Sequence, residues 1–202
     1  MRKLNVLAFI CLLVIGVSAA RAQQIDAAFG FSTVSAPSAQ DAGANFSPQS
    51  VGGGTFLSAS ADFLLKHQLG FGGQVAWRAS QNLWGGYQPF RPIFFDFNGI
   101  YAPNFGRRAG AEFQAGIGVQ SARFYTPTYN CSFTGCTNYV SSNHFMGHFG
   151  AGLRIYATER VFIRPEAHLY LVRNNEEFSG PRATRFGISI GYSFRPAEDE
   201  NY

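Results

Sequence analysis

The chain has 202 residues, of which 46% are hydrophobic and 14% charged, with a formal net charge of +4. This length suits a single domain, and the basic residues are scattered, which excludes the clustered footprint of a nucleic-acid binder. Beyond the N-terminus no segment has the length and apolarity of a transmembrane helix, so any membrane crossing falls to strands closed into a barrel.

Residues 1–22 read as a secretory signal peptide. Arg2 and Lys3 form a charged start, Leu7 to Val17 an apolar run, and Ala20-Arg21-Ala22 an A-x-A site with cleavage before Gln23. The run is shorter than the roughly 20 residues of a spanning helix, so removal is expected rather than anchoring. Cys11 lacks a small residue before it, which argues against a lipoprotein anchor. Loss of Arg2, Lys3 and Arg21 leaves 13 basic against 12 acidic residues, a net charge of +1.

From there to residue 194, apolar residues recur with period 2 in eight segments, each near the roughly 9–11 residues of a tilted spanning strand. Ile25, Ala27, Phe29 and Phe31 form the apolar face of 24–34. Leu57, Ala59, Ala61 and Phe63 do so in 54–64, Leu69, Phe71, Val75 and Trp77 in 69–79, and Ile93, Phe95, Phe97 and Tyr101 in 91–101. Segment 109–122 carries Ala111, Phe113, Ala115, Ile117 and Val119, and segment 144–156 carries Phe145, Phe149, Ala151, Leu153 and Ile155. Val161, Ile163, Ala167, Leu169 and Leu171 line 161–172, and the eighth segment is 183–194.

The seven connections alternate long, short, long, short, long, short, long. Short periplasmic turns and longer extracellular loops produce that rhythm in outer-membrane barrels, and an even strand number puts both ends in the periplasm. Phe63, Tyr101, Tyr192 and Phe194 then fall at periplasmic strand ends. Trp77, Phe90, Phe124 and Tyr125 fall at extracellular ends, where aromatic rings prefer the membrane interface.

The last strand is the most specific segment. Phe186, Ile188, Ile190, Tyr192 and Phe194 share one face, while Gly187, Ser189, Gly191 and Ser193 share the other. An apolar, aromatic-ended face over a nearly empty one suits lipid outside and a crowded lumen inside. With the leader and the eight alternating strands, this ending resembles the small OmpA/OmpX-like outer-membrane β-barrel proteins across the mature chain. The resemblance implies an all-β, eight-stranded antiparallel up-and-down transmembrane barrel over 23–194. It also implies outer-membrane lipids and lipopolysaccharide as surroundings, and a terminal strand read by the barrel-assembly machinery. Residues 195–202 depart from members that end at the terminal Phe. They contain Pro196, which cannot donate to a ladder, and read as a short periplasmic tail.

The inner face carries Asp26, Asp62, Gln74, Arg78, Asp96, Asn98, Glu112, Gln114, His148, Arg154, Arg164, Glu166, His168 and Arg185, interspersed with glycines. An eight-stranded lumen is only wide enough for side chains to fill, and buried charges need partners. Asp62, Asp96, Glu112, Arg154, Arg164, Glu166 and Arg185 are therefore expected to form an ion-pair network that plugs the barrel. A narrow or gated channel, in which these pairs exchange partners, is the alternative.

The chemical readings are bland beside this. The Gly-x-Gly stretches precede no helix, so they are not phosphate loops. His144 and His148 would stand about 13 Å apart on a strand, too far to share a metal. Ser141, Ser142 and His144 lie near an extracellular strand end, but no acid completes a nucleophile set, so a lipid A-modifying enzyme is only a third reading. No catalytic, metal or cofactor residue is expected. Cys131 and Cys136, in an exported chain, are expected to close a local disulfide. Asn130-Cys131-Ser132 matches a glycosylation acceptor, which the bacterial context makes accidental. Arg91, Arg123, Arg173 and Arg182 sit near extracellular strand ends, where they could meet lipopolysaccharide phosphates. The expected role is structural, or surface interaction through the loops. The main fold rival, a soluble lipocalin-like barrel, would have to reverse the two faces.

Overall fold

The computed structural model describes residues 24–36, 50–65, 68–106, 108–132, 135–174, 178 and 180–194. The expected signal peptide and periplasmic tail lie outside the described residues. Among the described residues there are nine strands: β1 (Gln24–Ser35), β2 (Thr55–Leu64), β3 (Leu69–Arg78), β4 (Asn82–Trp84), β5 (Gln88–Tyr101), β6 (Ala109–Ser132), β7 (Gly135–Tyr156), β8 (Val161–Val172) and β9 (Arg182–Phe194). Eight of them form a closed antiparallel ring. β1 pairs β9 from Ile25↔Phe194 to Ser35↔Thr184, and β3 pairs β5 from Leu69↔Tyr101 to Trp77↔Ile93. Closure leaves the barrel wall without an edge strand. β4 is extra. It pairs only with the start of β5, through a turn in which Gly85 and Gly86 have φ of +62° and +83°.

The period-2 pattern sorts side chains as a membrane barrel requires. Phe97 and Ile190 are 60% and 61% exposed on the outside, whereas Arg154, Arg164 and Arg185 are buried on the inside. A soluble barrel has the opposite polarity, so the lipocalin-like reading fails. Small inward residues let the large ones in. A Cβ on Gly191 would lie 2.2 Å from Phe162 Cζ, and one on Gly150 would lie 2.8 Å from His168 Nδ1.

Two sequence expectations need correction. The connection between the fifth and sixth segments is not a loop but an extension of both strands. β6 stays paired with β7 from Ala109↔Ile155 to Ser132↔Gly135, with a register shift between Tyr125 and Asn130. Polar Thr, Ser, Asn and Tyr residues carry the ladder on where the membrane-type alternation stops. Second, Phe90 and Phe124 do not join the outer aromatic belt. They are register partners on the inward parity, and Phe90 is buried. Their neighbours Arg91 and Arg123 take the outward parity instead.

Candidate functional site

The lumen is layered. At the end of the barrel that holds the β7–β8 turn, Tyr156 and Phe162 pack with Ala28, and Leu64 with Ile100 and Ala102. A vestibule of about 270 Å³ opens there, lined by Gln24, Leu64, Gln68, Tyr156 and the head of Arg154.

Above it lies the ionic layer. Arg154 on β7 pairs with Asp26 on β1 and Glu112 on β6, and its Nη2 stands 3.9 Å from Asp62 on β2. Arg164 on β8 reaches Glu112 at 2.6 Å, Asp62 at 3.2 Å and Glu166 at 2.9 Å. Arg185 on β9 pairs with Glu166 at 3.1 Å. Ser60 and Ser189 accept further hydrogen bonds from Arg164, and Gln114 donates to Glu112. All of these charges are buried, so each removed partner would strand another. Six strands are thereby tied across the lumen.

Six of the seven residues expected in this network are brought together. Asp96 stands apart. Asn98 donates to its carboxylate at 2.5 Å, and His148 Nδ1 lies 3.4 Å away. Asp26 was missing from the expected set, although its inward parity and charge announced it. Arg78 is also outside the network. It sits at the C-terminal end of β3 opposite Phe56, where a Cβ on Gly54 would lie 2.8 Å from its guanidinium.

The half of the lumen nearer the β6–β7 hairpin is apolar. Phe56, Phe90, Phe94, Met146, Tyr170 and Phe178 form its buried core with Val34, Val51 and Val172. Phe94 stacks on Tyr170 at 4.7 Å, and Phe178, from the β8–β9 connection, packs on Phe90 at 5.0 Å. Parity could have found most of this layer, since Phe94 lies two residues before Asp96 and Tyr170 two after His168. Nothing in the sequence of a connection marks Phe178 for the interior.

Above this layer the structure is an arm. β6 runs eight residues beyond Phe124, its last residue paired with β5, and β7 starts eleven residues before Met146, its first residue paired with β8. Cys131 stands opposite Cys136 at the tip, and a disulfide joins them. Tyr129 and Val140 are exposed, and Tyr125 packs edge-on against Tyr139. Ser142 Oγ lies 3.1 Å from His144 Nε2 on the same strand face, while the lumen carboxylates sit below the apolar layer. Arg91 and Arg123 face each other across β5 and β6, with Arg91 over Tyr125 at 6.0 Å and Arg123 over Tyr139 at 4.8 Å. Arg173 and Arg182 are exposed at the matching ends of β8 and β9.

An apolar-coated closed ring of eight strands around a charged interior defines the fold of the small outer-membrane β-barrel proteins. No protein-family model matches the chain, and no curated protein does. Solved structures do. The chain is similar to Neisserial surface protein A, with a TM-score of 0.60 at 12% identity, covering 87% of this chain and 99% of that one. It is similar to Ail of Yersinia pestis, solved with the heparin analogue sucrose octasulfate, with a TM-score of 0.52 at 11% identity over 85% of this chain and 98% of that one. The N-terminal barrel domain of Pseudomonas aeruginosa OprF gives a TM-score of 0.52 at 13% identity over 85% and 98%. These likenesses establish the shared fold.

Proposed function

We propose that this chain is an integral outer-membrane protein whose lumen is sealed and whose work is surface interaction through its extracellular arm. The arm carries the reading. Eight residues of strand beyond the last barrel contact reach about 25 Å along the strand direction. That is far more than a turn needs to close a barrel, and it lifts Tyr129 and the disulfide tip clear of the wall. Rigid scaffolds with projecting segments are the usual seat of recognition. In this reading residues 1–22 are removed on export and 195–202 remain in the periplasm. Phe186, Ile188, Ile190, Tyr192 and Phe194 serve the barrel-assembly machinery, and no catalysis takes place.

The lumen reading is a plug rather than a channel. Side chains fill a barrel of this strand number, and the apolar layer gives ions nothing to replace their water. On the outer surface, Arg91 and Arg123 are suited to lipopolysaccharide phosphate. Like charges directly opposite on neighbouring strands repel, and a shared anion removes that cost. Arg173 and Arg182, exposed near the matching ends of β8 and β9, add further positive charge there. The sulfated ligand of Ail is an anion met by a barrel of this fold, which is consistent with such a role.

The test uses cells displaying the full chain and a variant with residues 126–138 replaced by a two-residue turn. Both should extract only with detergent and show heat-modifiable migration. Adhesion to host-cell monolayers should require the arm. Equal adhesion by both, with equal surface display, would overturn the arm reading. A mature protein that is monodisperse without detergent would overturn the membrane reading.

A further inference from the structure

Between the ionic layer and the apolar layer lies a chain of groups that the plug does not need. His148 Nε2 is 2.8 Å from His168 Nδ1, and the two rings are nearly coplanar, with 17° between them. At one end His148 Nδ1 lies 2.7 Å from Asn98 Oδ1 and 3.4 Å from Asp96. At the other, His168 Nε2 lies 3.4 Å from Glu166 Oε1. Both rings are buried.

The hydrogens in this chain can be counted. Asn98 turns its NH₂ to Asp96, so its oxygen faces His148, and an amide oxygen only accepts. His148 Nδ1 therefore carries a hydrogen. A neutral His148 then has a bare Nε2, which accepts from His168 Nδ1. A neutral His168 is left with a bare Nε2 turned toward a carboxylate, two acceptors face to face, and Nε2 has no hydrogen-bond partner. One proton at that nitrogen gives every link a donor. A second has no vacant position, because the nitrogens between the rings already share one hydrogen.

The charges around the chain leave room for it. Among the described residues, Asp26, Asp62, Asp96, Glu112 and Glu166 face Arg154, Arg164 and Arg185 in the lumen below the apolar layer. Arg185 on β9 bonds the same Glu166 oxygen at 3.1 Å, and Arg164 on β8 holds the other. Asp96 from β5 lies near His148, Gln74 from β3 is its register partner, Gln114 from β6 borders Gly150, and Tyr170 from β8 stacks on His148 at 5.0 Å. Phe94 closes the extracellular side over Tyr170.

We propose that Asp96, Asn98, His148, His168 and Glu166 form a binding site for a single proton, taken from water on acidification. It becomes the Nε2 hydrogen of an imidazolium at His168, held against Glu166. This goes beyond the surface role proposed above and does not depend on it.

The experiment is nuclear magnetic resonance of histidine-labelled mature barrel in detergent micelles, titrated from about pH 8 to about pH 3.5. In the wild type, His168 becomes an imidazolium while His148 keeps its Nδ1-H tautomer throughout, so the pair takes one proton. Glu166→Gln removes the carboxylate charge that the imidazolium is held against, so that variant should stay neutral at His168 across the range. Two imidazoliums, a His168 that stays neutral in the wild type, or an Nε2-H tautomer at His148 would each overturn the site. The tautomers are read on the wild type alone, so the proposal remains falsifiable if the variant does not fold.

Discussion

Replacing Arg164 by methionine probes the ionic layer at its centre. Arg164 lies within 3.2 Å of Asp62, Glu112 and Glu166, and its removal leaves three buried carboxylates to Arg154 and Arg185 alone. Breaking one buried pair costs about 3–5 kcal/mol, so R164M should lose about 4 kcal/mol. Glu112→Gln alone should also destabilise, because Arg154 and Arg164 each lose one of their carboxylate partners. The double variant R164M/E112Q should lose less than the two losses added, with a coupling of about 1–3 kcal/mol. The assay is urea unfolding in lipid vesicles, followed by Trp77 and Trp84 fluorescence and by heat-modifiable migration. Arg160→Met is the control. Arg160 is exposed in the β7–β8 turn and its side chain donates to the Tyr192 hydroxyl at 3.3 Å, an exposed contact, while its backbone bonds survive the substitution, so the midpoint should not move. An R164M loss below about 1 kcal/mol, or full additivity with E112Q, would refute the network as a mechanical tie.

Other outcomes follow from the same geometry. Gly118→Val puts a Cβ 2.0 Å from Phe95 O in the neighbouring strand, and should abolish the heat-modifiable folded band. Phe94→Ala should cost about 3–5 kcal/mol and open the apolar layer; planar-bilayer recordings should show brief conductance that the wild type lacks. Frequent stable openings in the wild type would instead favour the channel. Cys131→Ser with Cys136→Ser should leave the barrel's unfolding midpoint unchanged, since the disulfide joins only the arm tip, and should make the arm more sensitive to protease. Replacing Arg91 and Arg123 by glutamine should weaken lipopolysaccharide binding to the purified barrel; unchanged binding would reject the anion role.

The wall of the barrel was readable because its rule is local. Each of the eight segments announces its own faces by alternation, and the observed barrel strands contain nearly the whole of each predicted segment. The lumen was readable in part for the same reason. Charged residues on the inward parity, such as Glu112 and Arg164, had to find one another in so narrow a space. Depth was harder. Asp96 and Asp26 share parity with the network, yet only Asp26 lies level with Arg154, because shear between strands fixes height and no single strand encodes it. Aromatics misled for a related reason. Phe90 and Phe124 look like belt residues by composition, and only strict parity, carried past the membrane edge, puts them inside. The arm escaped notice because its ladder is written in Ser, Thr, Asn and Tyr rather than in apolar alternation.

Alternation also means that each barrel strand carries two interleaved messages of unequal information content. An outward residue such as Ile190 faces acyl chains, which accept any apolar shape, so one such side chain can replace another at little cost. An inward residue such as Asp96 is fixed by the NH₂ of Asn98 and the ring of His148. Gly191 is fixed by the ring of Phe162. Half of each strand can therefore drift while the other half is held in step with residues on distant strands. The heritable memory of this barrel resides in its interior, one residue in two.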